Sequence, residues 1–301
     1  MIECVPNFSE GRRSDVIEAI VAAMAGVPGA KVLDVRSDVD HNRSVVTLVG
    51  SPSAVSEAAF RGIGRAAELI DMDHHRGEHP RMGATDVVPF VPLTGATMED
   101  CVQLARQLGA RVGDELGIPV YLYEAAATRP ERRNLADVRR GEFEGLKEEI
   151  ASNPERAPDF GPSVLGSAGA TAIGARPPLL AFNVYLNTDQ VAPAKAIARA
   201  IRHSSGGLRF VKALGLLVEG QAQVSMNLTD FHRTPLARVL ELIRAEAGRY
   251  GLSVTRSEVV GLVPVEALLE AAQFYLQLRG FSADQVLENR LFSESQSSTE
   301  G

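Results

Sequence analysis

The stretch RGEHPRMGATD, residues 76–86, sets His79 between a carboxylate and a proline, beside Arg81 and between two glycines. A proline ring disfavours helix at the residue before it, so His79 is expected on a loop or an extended segment. An imidazole in such a place titrates near neutrality and suits a proton taken and returned. Glu78 and Asp86 could orient it or raise its pKa, and Arg81 could hold an anionic substrate beside it. A surface histidine hydrogen-bonded within its own turn fits the same residues, and at this level both readings stand open. His75 and His79 lie four apart and so invite a metal site. Gly77 between them and Pro80 after them argue against one shared helical face, and no metal is expected.

Two other stretches hold chemistry-bearing residues. DVDHNRS, residues 38–44, supplies Asp40, His41, Asn42 and Arg43 in a short connection between two strands, where turn chemistry alone accounts for such residues. DFGPSVLGSAGAT, residues 159–171, has closely spaced small residues. These permit close backbone approach to a ligand and expose N–H donors, and they suit a flexible linker equally well. GIGRAA lies inside a helical window, and GxxxxGK[ST] does not occur, so neither nucleotide fingerprint is present.

These loops need elements to hold them. Apolar runs of strand length alternate with amphipathic windows of helix length, which predicts an α/β or α+β fold. Strands are expected at Ile2–Pro6, Lys31–Val35, Val45–Val49, Val87–Val91 and Val120–Tyr123, with helices over 13–25, 52–70 and 98–116. No helix separates the second and third strands. The resulting βαββαβ order is the split pattern of ferredoxin-like folds, extended by one helix and one strand.

The second half repeats this grammar. LLAFNVYL reads as a strand, 191–203 as a helix, 212–230 as a hairpin turning near Glu219 and Gly220, 235–250 as a helix, and SVTRSEVVGLVP as a closing strand. In helix 235–250, Leu236, Val239, Leu240 and Ile243 fall on one face at i, i+3, i+4, i+7. Between the halves, residues 152–178 are rich in Pro, Gly and Ser, the composition of a domain boundary. Domains are therefore expected at 1–176 and 177–292, with a disordered tail at 293–301.

Composition narrows the function classes. With 45% hydrophobic and 23% charged residues the chain is a folded globular protein. Its net charge of −7 argues against broad electrostatic binding to nucleic acid or anionic membrane, so any anionic ligand must be met by local cations. Two cysteines without a CxxC spacing give no disulfide framework. No apolar run approaches the roughly 18 residues of a membrane span and no leader is evident, which makes the cytoplasm the default.

Taken together, ECVPNFSEG (3–11), NRSVVTLVG (42–50), IDMDHHRGEHPRMGATDVVPF (70–90) and DFGPSVLGSAGAT resemble glutamate formimidoyltransferase. AFNVYL, QVSMNLTDF and EVVGLVPVEALLEAAQFYL extend the resemblance over residues 2–291. It implies two topologically related α/β subdomains, each a sheet flanked by helices, with folate in the groove between them. It also implies transfer of a formimidoyl group between N-formimidoyl-L-glutamate and N5 of tetrahydrofolate, a step of histidine degradation. The enzyme would stand alone, any cyclodeaminase being a separate protein, and a homodimer is expected, with helix 265–278 as a possible interface. The family's GEHPRMGA motif falls on Gly77–Ala84 and makes His79 the general base, then acid. The folate stretch maps onto Phe160, Gly161, Pro162, Ser163, Val164, Leu165, Gly166, Ser167, Ala168 and Gly169. Arg43, Arg81 and Arg176 lie inside matched motifs as candidates for substrate carboxylates, with Asp40, His41 and Asn42 as loop candidates. Tetrahydrofolate would serve as co-substrate without a metal. The alternatives are an enzyme of the same fold that moves a formyl group between glutamate and tetrahydrofolate or handles 5-formyltetrahydrofolate, and a non-catalytic folate-binding module.

Overall fold

Apolar periodicity and capping chemistry set the elements of the first unit: β1 (Ile2–Cys4), β2 (Asn7–Phe8), α1 (Ser14–Ala25), β3 (Ala30–Asp38), β4 (Arg43–Gly50), α2 (Pro52–Leu69), β5 (Thr85–Pro92), α3 (Met98–Glu115), β6 (Val120–Glu124), α4 (Leu135–Val138), α5 (Glu142–Glu149) and β7 (Thr171–Ala175). Helix α1 buries Val16, Ile20 and Met24, a stripe four residues apart. Helix α2 starts at Ser51, whose hydroxyl accepts from the Ala54 N–H, with Pro52 at the first helical position. A reciprocal Thr97–Asp100 capping box opens α3. The computed structural model describes residues 1–291, so the tail expected at 293–301 lies outside the described residues.

The first sheet runs β3, β4, then β1 and β2, then β5, β7 and β6. The pairs among β1 to β5 are antiparallel, while β7 is parallel to both β5 and β6. Strand β7 is an element the sequence reading did not include; it lies inside the 152–178 stretch, and the two units divide only at the end of that stretch, after Pro177. Its sequence TAIGA is small-residued because it is wholly buried between two neighbours. A Cβ at Gly174 would stand 2.5 Å from the Tyr123 carbonyl oxygen. Close packing within a sheet and a flexible linker thus use the same small residues, and composition cannot separate them.

The chain divides into compact units Met1–Pro177 and Pro178–Gly301. The second holds β8 (Leu180–Leu186), α6 (Val191–Ile201), β9 (Val211–Val218), β10 (Gln221–Leu228), α7 (Leu236–Gly248), β11 (Val254–Val260) and α8 (Val265–Leu276). Its antiparallel sheet runs β11, β8, β10, β9. The antiparallel part of the first sheet has the same order, β5, β1, β4, β3. Glu219 and Gly220 turn the β9–β10 hairpin with positive φ at both residues, +50° and +75°. Helix α7 buries Leu236, Val239 and Ile243, the face its spacing predicts. Each unit has its own apolar core. Among the described residues, no helix is long and apolar enough to cross a membrane.

Candidate functional site

Three loops of the first unit meet: the β3–β4 turn around 39–42, the segment 75–84 leading into β5, and the 159–170 stretch leading into β7. Segments 82–84 and 168–170 form a backbone seam. Ala170 donates to the Met82 carbonyl at 3.0 Å, and Ala84 donates to that of Ala168 at 2.8 Å. The seam needs glycine at two places. A Cβ at Gly83 would lie 2.3 Å from the Ala170 oxygen, and Gly169, at φ +71°, leaves 2.4 Å to the Met82 oxygen. Gly83→Ala is therefore expected to lower the free energy of unfolding by about 1–3 kcal/mol, measured by denaturant titration.

On the other side, Asn42 ties the β3–β4 turn to the histidine segment. Its Oδ1 accepts from the Gly11 N–H at 2.9 Å, its Nδ2 donates to the Arg76 carbonyl at 2.9 Å, and its own carbonyl accepts from His75 Nε2 at 3.2 Å. Glu78 donates its N–H to the Asp40 carbonyl at 3.4 Å. Gly77 allows this approach, since a Cβ there would stand 2.3 Å from the His41 oxygen.

His79 is half-buried, and its Nδ1 lies 2.7 Å from the Pro80 carbonyl oxygen. A carbonyl only accepts, so Nδ1 carries the hydrogen and Nε2 keeps a lone pair free for a proton. The His41 ring stands edge-on to it, with centroids 6.0 Å apart. Burial, helped by the Arg43 and Arg139 cations and opposed by Asp86, pushes the His79 pKa down to about 4. The ring's hydrogen-bond partner is the Pro80 carbonyl and neither Glu78 nor Asp86, and the upward push from Asp86 that the sequence suggested is present but outweighed by burial and the two arginines. A proton NMR titration of the His79 Cε1–H is expected to give a midpoint near 4, leaving the ring neutral between pH 5 and 8; a midpoint at the ordinary value of 6.5 would contradict this.

Asp86 sits fully buried at the start of β5. Its carboxylate accepts from Arg43 Nη1 at 2.6 Å, from the Arg139 Nε at 3.3 Å and Nη2, and from the Met82 N–H at 3.1 Å. Burial alone would raise its pKa, but Arg139 and Arg43 outweigh burial and hold it below the ordinary carboxylate value. Arg43 also donates from Nε and Nη2 to Asn7 Oδ1, at 3.1 and 2.7 Å. Arg139 and Asn7 escaped the sequence reading. Arg139 follows α4, 53 residues from Asp86, and no spacing in the chain links the two.

Arg81 is buried, with its guanidinium filled by protein partners. Nη1 donates to Glu142 at 2.7 Å and to Glu144 at 2.9 Å, Nη2 to Glu144 at 2.6 Å, and Nε to His75 Nδ1 at 3.4 Å. His75 thus donates from Nε2 and accepts at Nδ1, and burial lowers its pKa. This neutral imidazole braces the loops. Arg176 donates its backbone N–H to Phe90 and its Nη1 to the Pro177 carbonyl, each at 3.0 Å. Of the three candidate arginines, Arg43 adjoins the His79 segment through Asp86, and Arg81 is committed to the two α5 glutamates.

The 160–169 stretch has an inner and an outer part. The Phe160 ring packs against Gly109 and its Cβ against Gly113 of α3, its carbonyl accepts from the Val120 N–H at 2.9 Å, and Leu165 is buried. Gly161, at φ +82°, lies so close to Ile118 that a Cβ would stand 2.6 Å from the carbonyl oxygen. Pro162, Ser163, Val164, Gly166 and Ser167 are exposed, and nothing lies within 4 Å of a Cβ built at Gly166. A flat ligand could lie against this outer rim, while Phe160, Gly161 and Gly169 serve the packing of the loop itself.

Comparison with known proteins gives concordant findings. The model of the formiminotransferase domain's N-terminal subdomain matches residues 1–176, and that of the formiminotransferase domain matches residues 181–290. The chain is 55% identical over 295 residues to a glutamate formimidoyltransferase from Thermoplasma acidophilum, covering 97% of each chain. It is 50% identical to a glutamate formimidoyltransferase from Streptococcus pyogenes, covering 97% of this chain and 98% of that one. A formimidoyltransferase-cyclodeaminase from Mus musculus is 46% identical across 91% of this chain, which spans 52% of that protein.

Proposed function

The chain belongs to the formiminotransferase family, and on that premise we propose His79 as the group that moves the proton in its reaction. The enzyme transfers a formimidoyl group between N-formimidoyl-L-glutamate and tetrahydrofolate. Attack of the folate N5 on the formimidoyl carbon forms a C–N bond and a tetrahedral intermediate, and the N5 proton must leave. His79 Nε2 accepts it, with Nδ1–H held by the Pro80 carbonyl as the imidazolium forms. The same proton then passes to the glutamate nitrogen as its bond to carbon breaks, which returns the imidazole to its starting tautomer. The observation that supports this role is the Nδ1–Pro80 hydrogen bond, which leaves Nε2 as the proton acceptor.

Tetrahydrofolate is the co-substrate, and we assign its contacts to the outer rim, Pro162, Ser163, Val164, Gly166 and Ser167. Arg43 is the arginine we assign to a glutamyl carboxylate. The reaction is tested by turnover of the purified protein with tetrahydrofolate and either N-formimidoyl-L-glutamate or N-formyl-L-glutamate. Faster transfer from the formimidoyl donor is expected. Faster transfer from the formyl donor would replace the named reaction, and turnover with neither would favour a folate-binding module.

A further inference from the structure

Two guanidinium groups share one carboxylate beside His79. Arg43 and Arg139 both pair with Asp86, so the cluster carries one uncompensated positive charge. Asp86 is completely shielded from solvent, whereas the Arg43 and Arg139 side chains keep 10% and 14% of their surface. The acid therefore lies at the bottom of the cluster and the two cations reach its mouth. Arg139 spends Nε and Nη2 on Asp86, and among the described residues its Nη1 has no hydrogen-bond partner. Arg43 spends Nε and one hydrogen each of Nη1 and Nη2, which leaves two N–H donors of the five a guanidinium carries. Burial and the neighbouring Arg139 lower the Arg43 pKa against the opposing effect of Asp86, as expected where two cations are held together in a poorly solvated place. A buried excess of one charge is costly until an opposite charge meets it.

We propose that Arg139, together with Arg43, binds a carboxylate of the glutamyl donor, the anion completing a four-membered charge cluster with Asp86. This rests on the formimidoyl-transfer reading and deepens it by assigning a donor contact to a residue outside every matched motif. Asp86 is then a positioning residue. It holds the two forks side by side and leaves their remaining donors for the substrate. The arrangement suits a planar carboxylate, because guanidinium groups meet one through paired N–H bonds that an ammonium cannot reproduce. It also places the anion near the imidazole that takes the proton, since Arg43 stands two residues after His41, whose ring centroid lies 6.0 Å from that of His79.

The test pairs a protein change with a substrate change. Wild type, Arg139→Gln and Arg139→Lys are each assayed with N-formimidoyl-L-glutamate and with two analogues in which either the α- or the side-chain carboxylate is a carboxamide. In wild type, one amide is expected to lose about 10- to 100-fold in kcat/KM, mainly through KM. In Arg139→Gln the natural donor should fall by a similar factor, and the penalty for that amide should shrink towards one. Arg139→Lys should give an intermediate penalty. A penalty that is the same in Arg139→Gln as in wild type overturns the proposal. Because each penalty is a ratio within one preparation, partial unfolding does not change it. Should Arg139→Gln fail to fold, an undiminished penalty in Arg139→Lys overturns the proposal by itself. A failure of the underlying reaction would show separately, as wild type that does not turn over the formimidoyl donor at all.

Discussion

His79→Ala is expected to lower kcat by about 10²- to 10⁴-fold, with the dissociation constant for folate left nearly unchanged. The split follows from the geometry. The ring makes its hydrogen bond to the next residue's carbonyl, so its removal deletes a proton carrier without cutting a tie between loops. The loops are held elsewhere, by Asn42, by His75 and by the glycine seam at 82–84 and 168–170. His79→Gln is the companion variant. It can retain a donor to the Pro80 carbonyl but has no basic ring nitrogen to take the N5 proton in the transition state, so it should be as slow as alanine. Turnover within a few-fold of wild type in either variant would remove His79 from the mechanism. Equal loss of folate binding and turnover would instead make it a structural residue.

Asp86→Ala is expected to be the most destabilising single change near the site, by about 3–5 kcal/mol, measured as a shift in the chemical denaturation midpoint at constant slope. The variant leaves two half-buried guanidiniums facing each other without their shared counter-ion and removes the acceptor of the Met82 N–H. Asp86→Asn should recover part of the loss, since the amide oxygen still accepts while the charge does not return. The sign of the pH dependence follows from the lowered pKa of Asp86. The unfolded carboxyl binds its proton at a higher pH than the folded one, so the cluster's contribution is complete above the ordinary aspartate value and is lost as pH falls below it. Acid should therefore destabilise the wild type more than it destabilises Asp86→Ala. Identical acid sensitivity in the two proteins would show that the carboxylate is not held by its arginines.

These two residues also mark how much the sequence could say. Residues 77–84 carry enough local chemistry to single out His79, because a histidine before a proline and beside glycines stands on a loop whatever the rest of the chain does. The longer strands and helices were similarly legible, since apolar residues recur at the period of the element that buries them, as in Val16, Ile20 and Met24 of α1 or Leu236, Val239 and Ile243 of α7, whereas the short helices α4 and α5 were not read. Family membership was written in motifs spread over nearly the whole chain. Strand β7 was not legible, because Thr171–Ala175 is built from small residues that a linker would also use, and only its place between β5 and β6 shows why they must be small.

The electrostatics of the site belonged to the tertiary structure alone. Asp86 reads in sequence as a neighbour of His79 free to orient it, yet the fold buries it under Arg43, 43 residues away, and Arg139, 53 residues away. Arg81 reads as a substrate arginine, yet Glu142 and Glu144 fill its fork from across a comparable separation. Local sequence determined which side chains are present and whether each stands on a helix, a strand or a loop. The charge each one feels depends on partners that only chain folding brings within hydrogen-bond reach, and that is why the tautomer and pKa of His79 and the excess positive charge beside it could not be read from the amino-acid order.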